Sequence, residues 1–185
     1  MEATVTRITA DRYDEISVEG DRTQLVDGQV VVSQPRAIHA LLQLRLGTAL
    51  HNWTEAGESR GMALLPTDVR MDGYNVYGPD LLWFQEGRIP ANLDGYPEHV
   101  PDLCAEIRSP TTWRHDVGAK KRVYEEGGLA ELWLVDDVAH SVLVYRRSRA
   151  DSPTFDVALE LGRGEKLDSP MLPSFAFALD ELFRR

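Results

Sequence analysis

The segment from Asp102 to Arg108 alternates between two kinds of side chain, and this pattern restricts the folds open to the chain. Successive side chains of an extended strand point to opposite faces, so Leu103, Ala105 and Ile107 share one apolar face. The opposite face carries Asp102, Cys104, Glu106 and Arg108. The alternation predicts a core strand of a sheet, with the acid Glu106 inside it.

The rest of the chain supplies further strands and helices. Asp27-Gly28, a pair that favours type I′ turns, predicts a hairpin near the N-terminus. Strands are predicted over 24–26, 29–32, 62–69, 71–77, 79–84, 131–135, 141–146 and 155–160. A short helix is predicted from Thr9, and further helices over 35–56, 115–126 and 177–183. This order predicts an α+β or α/β domain, with a mixed β-sheet flanked by helices and an N-terminal helix and hairpin.

The longest predicted helix, 35–56, carries an apolar stripe. Pro35 fits its first turn. The stripe follows steps of three and four residues, typical of an amphipathic helix, and consists of Ile38, Leu42, Leu46, Ala49 and Trp53. His39 lies next to this stripe.

Length and charge narrow the class of protein. The 185 residues suffice for one domain with a sizeable core, so we expect a single domain over 1–185. Lys and Arg total 20 and Asp and Glu total 30, which gives a formal charge of −10. Such a charge opposes binding of nucleic acid over the whole surface, because phosphates are repelled by a diffuse anionic field. A localised site remains compatible with it.

The single cysteine and the lack of long apolar segments indicate the cellular compartment that we expect for the protein. The single cysteine, Cys104, cannot form an internal disulfide, and no Cys or His cluster has the spacing of a zinc site. Residues 1–10 lack the features of a signal peptide, and no stretch approaches the roughly 18 apolar residues of a membrane span. We therefore expect a cytoplasmic protein without membrane association.

Two acidic residues lie in predicted core strands, where burial disfavours a charged side chain. Asp80 follows Pro79 at the start of an apolar run, and Glu106 lies within the core strand. If the two strands are neighbours, the carboxylates meet at one end of the sheet and require a counter-cation. Mg²⁺ takes one or two protein carboxylates and completes its shell with water and phosphate oxygens. The backbone carbonyl of Ile107 is a further candidate ligand.

Helical geometry places Lys120 on an inward face. At about 100° per residue, Lys120 lies about 40° from Asp116 and shares its face with three other residues. These are Val117, Val123 and Tyr124. An inward lysine beside two carboxylates can orient an attacking water or neutralise charge on a phosphate. The alternative is an i, i+4 pair with Asp116 on a solvated helix.

These residues, in their order and spacing, resemble the Uma-type family of restriction endonucleases, which belongs to the PD-(D/E)XK nuclease superfamily. The resemblance rests on Pro79-Asp80, on Pro101-Asp102-Leu103-Cys104-Ala105-Glu106-Ile107-Arg108-Ser109-Pro110-Thr111-Thr112, on Asp116, Lys120 and Tyr124, and on Glu131-Leu132-Trp133-Leu134-Val135-Asp136. It extends upstream to Leu25-Val26-Asp27-Gly28 and His39, and so covers the chain from Tyr13 to Tyr145.

The resemblance implies a restriction-endonuclease-like core that hydrolyses phosphodiester bonds of DNA with Mg²⁺ or Mn²⁺. Carried over by position, Asp80 and Glu106 are the metal ligands, and Lys120 is the catalytic lysine, supplied from the helix after the second acidic strand. The superfamily more often places its lysine two residues after the glutamate, where this chain has Arg108. Arginine stays protonated, so Arg108 can bind phosphate but is a poor general base. Gln29 stands where relatives commonly have a glutamate.

Several of these residues also have a structural interpretation. Asp80 could cap backbone N–H groups at a strand end, and Arg108 could pair with Glu106 as a structural ion pair. His39 is either a hydrogen-bonded core histidine or a residue at the edge of the active site. Tyr124 is either a core residue or one whose hydroxyl reaches the cleft.

Two functions follow from these alternatives. The first is a Mg²⁺- or Mn²⁺-dependent endodeoxyribonuclease. The second is a nuclease fold that no longer cuts and serves as a nucleic-acid-binding or dimeric interaction module, as Gln29, Arg108 and the acidic surface suggest. We expect a homodimer in either case, because cutting both strands of a duplex requires two sites and C₂ dimers are the commonest assembly.

Overall fold

The structure, a computed structural model, describes residues 7–18, 20–110 and 113–184. Its α-helices are α1 (Ala10–Ile16), α2 (Ala37–Glu55), α3 (Trp113–His115), α4 (Lys121–Glu126) and α5 (Leu179–Leu182), and a π-helical turn, Asp116–Lys120, joins α3 to α4. Its strands are β1 (Thr23–Val26), β2 (Gln29–Val32), β3 (Met62–Leu64), β4 (Val69–Asp72), β5 (Asn75–Tyr77), β6 (Leu81–Phe84), β7 (Leu103–Ile107), β8 (Glu131–Asp136), β9 (Ser141–Arg146), β10 (Val157–Leu161), β11 (Lys166–Leu167) and β12 (Phe177–Ala178). Thr111 and Thr112, which belong to the run that carries the family resemblance, lie outside the described residues.

Six strands form the main sheet in the order β10-β9-β8-β7-β6-β3. The pair β7 and β8 is parallel, and the other pairs are antiparallel. The alternation predicted for β7 is confirmed, because Leu103, Ala105 and Ile107 belong to one hydrophobic cluster and Cys104 to another. Residues of α2 join the first cluster and residues of α4 join the second, so helices flank the mixed sheet as predicted.

The N-terminal hairpin belongs to a smaller sheet with the strand order β2-β1-β5-β4. Asp27 and Gly28 have φ angles of 49° and 76°, which is the conformation that a type I′ turn requires at both central positions. The predicted hairpin is therefore confirmed. Pairing of β1 with β5 brings Tyr77, at the end of β5, into the same cluster as α4.

Helix α2 packs on the main sheet through a stripe that differs from the predicted one. The buried side chains of this stripe are His39, Leu42, Leu46, Leu50 and Trp53. Ile38 is exposed and Ala49 is only partly buried, so both are at the margin of the stripe. The prediction preferred Ile38 over His39 because isoleucine is apolar, whereas the structure turns His39 inward to a hydrogen-bond partner. Within the described residues, no helix is long and apolar enough to cross a membrane.

Three of the predicted boundaries are wrong. The range 62–69 is not one strand, because Pro66 lacks the N–H that a ladder requires and the chain passes from β3 in the main sheet to β4 in the small one. The helix predicted over 177–183 begins only at Leu179, since Phe177 pairs with Leu167 as a strand. Pro35 precedes α2 rather than starting it, because Arg36 is extended at φ −83° and ψ 165°.

Candidate active site

Asp80 and Glu106 come together across two neighbouring strands. Strands β6 and β7 are antiparallel, and Leu81 lies opposite Ala105. The same register, continued by one residue before Leu81, places Asp80 opposite Glu106. Asp80 is thus the residue that directly precedes β6. The prediction of an acid pair required these two strands to be neighbours, and they are.

Asp80 both caps the strand end and keeps an oxygen available. The backbone N–H of Ile107 donates to Asp80 Oδ2 at 2.7 Å, as the strand-end interpretation of Asp80 expected. Every hydrogen bond that the described residues make to this carboxylate ends on Oδ2. Because Oδ1 stays available, capping and ligation of a cation are compatible functions of Asp80.

Two side chains of α2 contact Asp80. His39 Nε2 lies 3.0 Å from Asp80 Oδ2, and Gln43 Nε2 donates to the main-chain oxygen of Asp80 at 3.0 Å. Burial alone would lower the pKa of His39, but the hydrogen bond and charge of Asp80 outweigh burial and raise it. His39 is therefore a buried, hydrogen-bonded histidine whose partner is Asp80, one of the two predicted site acids. Gln43 was not among the predicted site residues, although its position one helical turn after His39 was a usable signal.

Lys120 is buried as predicted, but the helix that carries it is not regular. The turn Asp116–Lys120 is π-helical, and such turns are frequent at functional sites. The wider turn changes which residues share a face, so Val117 is 41% exposed although it was predicted to point inward. Asp116 and Lys120 are instead both buried.

Lys120 joins two acids inside the protein. Lys120 Nζ lies 2.8 Å from Glu106 Oε1 and 3.1 Å from Asp116 Oδ1, and it also lies over the ring of Tyr77. Burial disfavours the ammonium, but the charges of Asp116 and Glu106 outweigh burial and raise the pKa of Lys120. The i, i+4 pair with Asp116 exists, yet it is buried rather than solvated. Asp116 was missed as a site residue, and the signal for it was its spacing from Lys120.

Glu106 is held by two donors on one oxygen. Tyr124 OH donates to Glu106 Oε1 at 2.7 Å, beside the bond from Lys120. Burial raises the pKa of Tyr124 well above its usual value, so the hydroxyl remains a donor. Burial also raises the pKa of Glu106 to about 8 against the opposing charge of Lys120. Glu106 Oε2 accepts no hydrogen bond from the described residues.

Arg108 and Gln29 lie apart from this group. Arg108 Nη1 donates to Asp136 Oδ2 at 2.7 Å, so its partner is Asp136 and not Glu106 as the structural alternative proposed. The guanidinium of Arg108 also lies over the ring of Trp113. Gln29 is exposed on β2, and none of the described hydrogen bonds joins it to Asp80 or Glu106.

A cleft of about 460 Å³ opens beside the acid pair. The residues that line it include Asp80, His39, Gln43, Arg22 and Arg36. A larger cavity of about 800 Å³ adjoins the cleft through shared lining residues. Glu106 and Lys120 are not among the residues that line the cleft, and both are at most 3% exposed.

Asp80 and Glu106 offer carboxylate oxygens, the type of ligand that hard divalent cations take. Among the described residues, no group of three or more His, Cys, Asp or Glu side chains is arranged to hold a metal ion. The two carboxylates of Asp80 and Glu106 each keep one oxygen, and Mg²⁺ binds through one or two carboxylates with water and phosphate completing its shell. The main-chain carbonyl of Ile107 stays a predicted third ligand.

Comparison with known proteins gives the family. The model of the family named Uma2, described as "Putative restriction endonuclease", matches residues 10–180. The chain belongs to the Uma2 family. The match includes the acid pair, the π-helical turn and both flanking helices, and it confirms the resemblance seen in the sequence.

A solved structure shares the fold of this Uma2 chain. The crystal structure described as "a putative nuclease belonging to DUF820" from Anabaena variabilis matches with a TM-score of 0.79 and 19% sequence identity. The match covers 95% of this chain and 97% of that chain. At this identity the similarity establishes the fold alone. Comparison with curated proteins gives no significant match.

Proposed function

We propose that this Uma2 protein is an endonuclease that hydrolyses DNA phosphodiester bonds with Mg²⁺ or Mn²⁺. The observation that carries the proposal is the register of β6 and β7, which sets Asp80 opposite Glu106 with Lys120 bonded to Glu106. Asp80 Oδ1, Glu106 Oε2 and the carbonyl of Ile107 would hold the cation. When bound, such a cation polarises a phosphate and lowers the pKa of water, which generates a nucleophile at neutral pH.

Lys120 and Tyr124 both act on Glu106. Lys120 is committed to Glu106 and Asp116, so we assign it charge compensation and orientation of Glu106 rather than direct contact with the attacking water. Tyr124 holds the same oxygen of Glu106 through its hydroxyl. Both contacts fix one carboxylate oxygen and leave the other available, which is the preorganisation that a reacting centre requires.

The first prediction concerns Asp80. Replacing Asp80 with asparagine keeps its shape but removes a negative ligand, and we expect cleavage of plasmid DNA with Mn²⁺ to become at least about 100-fold slower. Gel analysis of nicked and linear product measures the rate. The matched control is Asp102→Asn, since Asp102 flanks the opposite end of β7 and pairs with Arg88 outside the site. We expect this control to cut like the wild type.

The outcomes of this assay separate the two functions. Equal cutting by wild type and Asp80→Asn contradicts the proposal. Absence of cutting by pure wild-type protein, together with retained DNA binding, supports the non-cutting binding module instead.

The second prediction concerns the phosphates of the substrate. Arg22 lines the cleft and forms no ion pair within the described residues, so its charge is available to a phosphate. We expect Arg22→Ala to lower the slope of log K against log salt by about one unit, because one fewer phosphate is neutralised. Fluorescence anisotropy with a labelled duplex measures this slope, in an Asp80→Asn background that blocks cutting.

A surface arginine outside the cleft provides the control. Arg149 pairs with Asp151 and does not line the cleft. We expect Arg149→Ala to leave the salt slope unchanged. An equal loss of slope in both variants would show that Arg22 contributes only general charge.

A further inference from the structure

Helix α2 holds Asp80 at two points. His39 and Gln43 lie four residues apart, so their side chains share one face of the helix. His39 Nε2 lies 3.0 Å from Asp80 Oδ2, and Gln43 Nε2 donates to the main-chain oxygen of Asp80 at 3.0 Å. One contact fixes the carboxylate, and the other fixes the backbone that carries it.

The carboxylate of Asp80 is thereby set in one orientation. Its Oδ2 accepts from the N–H of Ile107 and contacts His39, which together occupy the lone pairs of this oxygen. The bond from Ile107 restrains Oδ2 at one point, and the contact with His39 adds a second restraint on the same oxygen. With His39 in place, Oδ1 is the oxygen that remains for a cation.

The surroundings of His39 favour a role directed at Asp80. Because Asp80 Oδ2 is an acceptor, the Nε2 atom carries a proton in this arrangement. Nδ1 is buried and has no hydrogen-bond partner among the described residues. A histidine that only stabilised the core would be expected to satisfy both ring nitrogens, as most buried polar atoms do. The contact with Asp80 is therefore the interaction that explains why the ring is buried here.

We propose that His39 and Gln43 are positioning residues that clamp Asp80 with Oδ1 directed toward the divalent cation. The proposal rests on the function proposed above. Loss of a residue that orients a metal ligand typically lowers metal affinity about 10–100-fold. We expect His39→Ala to weaken Mn²⁺ binding by that factor and to lower kcat more than it changes KM. His39→Gln should recover most of both, because its amide nitrogen can donate from a similar position.

A metal-free experiment tests the clamp itself. In ¹H–¹⁵N spectra, the Ile107 amide reports on the bond to Asp80 Oδ2, both by its chemical shift and by its exchange rate. We expect His39→Ala to shift this signal and speed its exchange, and His39→Gln to preserve both. His51→Ala is the control, since His51 is exposed on the same helix. An unchanged Ile107 signal in folded His39→Ala overturns the clamp.

A double-mutant cycle tests whether His39 acts through Asp80. We expect His39→Ala to have no further effect on Mn²⁺ affinity, measured by titration calorimetry, once Asp80 is replaced by asparagine. Additive effects would overturn the clamp while leaving the nuclease proposal intact. If the Ile107 signal responds as expected but wild-type protein binds no Mn²⁺, the clamp is supported and the proposed function fails.

Discussion

Replacing Lys120 with methionine is expected to lower the free energy of unfolding by about 3–5 kcal/mol. Lys120 is 1% exposed and bonds Glu106 and Asp116, which are also buried. At a pH above about 8, where Glu106 is ionised, removing the ammonium leaves two carboxylates without their cation. An uncompensated buried charge is strongly destabilising. Methionine is unbranched and flexible, so it fills much of the vacated space and keeps the effect mainly electrostatic.

Urea denaturation measures this change, and the neighbouring lysine provides the control. Lys121 is only half-buried, and its Nζ lies 4.5 Å from the centre of the Tyr145 ring. We expect Lys121→Met to change the free energy of unfolding by less than about 1 kcal/mol. If the two variants were equally stable, Lys120 would not compensate the buried acids.

A second substitution checks the reason for the Lys120 effect. Adding Glu106→Gln to Lys120→Met removes one of the two uncompensated carboxylates. We therefore expect the double variant to recover part of the lost stability, which is a non-additive result. Additive destabilisation would indicate that lost packing, rather than charge, causes the effect of Lys120→Met.

Replacing Gly61 with alanine is expected to lower the free energy of unfolding by at least about 3 kcal/mol. Gly61 has a φ of +70°, and a Cβ added there would lie 2.0 Å from the main-chain oxygen of Phe84. The contact is with backbone, so no side chain can rotate away to relieve it. On both sides the chain is held, because Trp83 donates to the main-chain oxygen of Arg60 and β3 pairs with β6.

Gly87→Ala is the control that separates the cost of a positive φ from the cost of the steric clash at Gly61. Its φ is +84°, but an added Cβ would meet nothing within 4 Å. We expect Gly87→Ala to cost about 1 kcal/mol, the effect of a positive φ alone. Thermal or urea unfolding compares the two variants. Similar losses at both positions would contradict the close approach of Gly61 to Phe84.

Local patterns were sufficient to predict much of the fold. The alternation in β7 and the turn residues Asp27 and Gly28 each act within a few residues, and the structure confirms both elements. The errors arose where a local pattern competes with a distant partner. Phe177 fits a helix by pattern but pairs with Leu167 as a strand.

The site residues, like the elements of the fold, were predicted in part from local patterns. Asp80, Glu106, Lys120, His39 and Tyr124 were selected from the sequence. The structure places His39 in contact with Asp80, and Lys120 and Tyr124 in contact with Glu106, on neighbouring strands. Val117 was placed wrongly because a regular 100° step does not hold through a π-helical turn. Gln43 and Asp116 were missed because polar residues on a helix are usually solvated, although each lies four residues from a predicted site residue, His39 or Lys120.

The sequence by itself determined the type of each main strand and helix, the turn of the hairpin, and which acids and which lysine were candidates for chemistry. Only the tertiary structure decided how they combine. His39 and Asp80 are 41 residues apart, and Ile107 and Asp80 are 27 apart. Contacts at such separations depend on which strands are neighbours, on their register and on the rotation of α2 over the sheet. These properties follow from packing the whole core, whereas periodicity reports only the few residues within one turn or one strand.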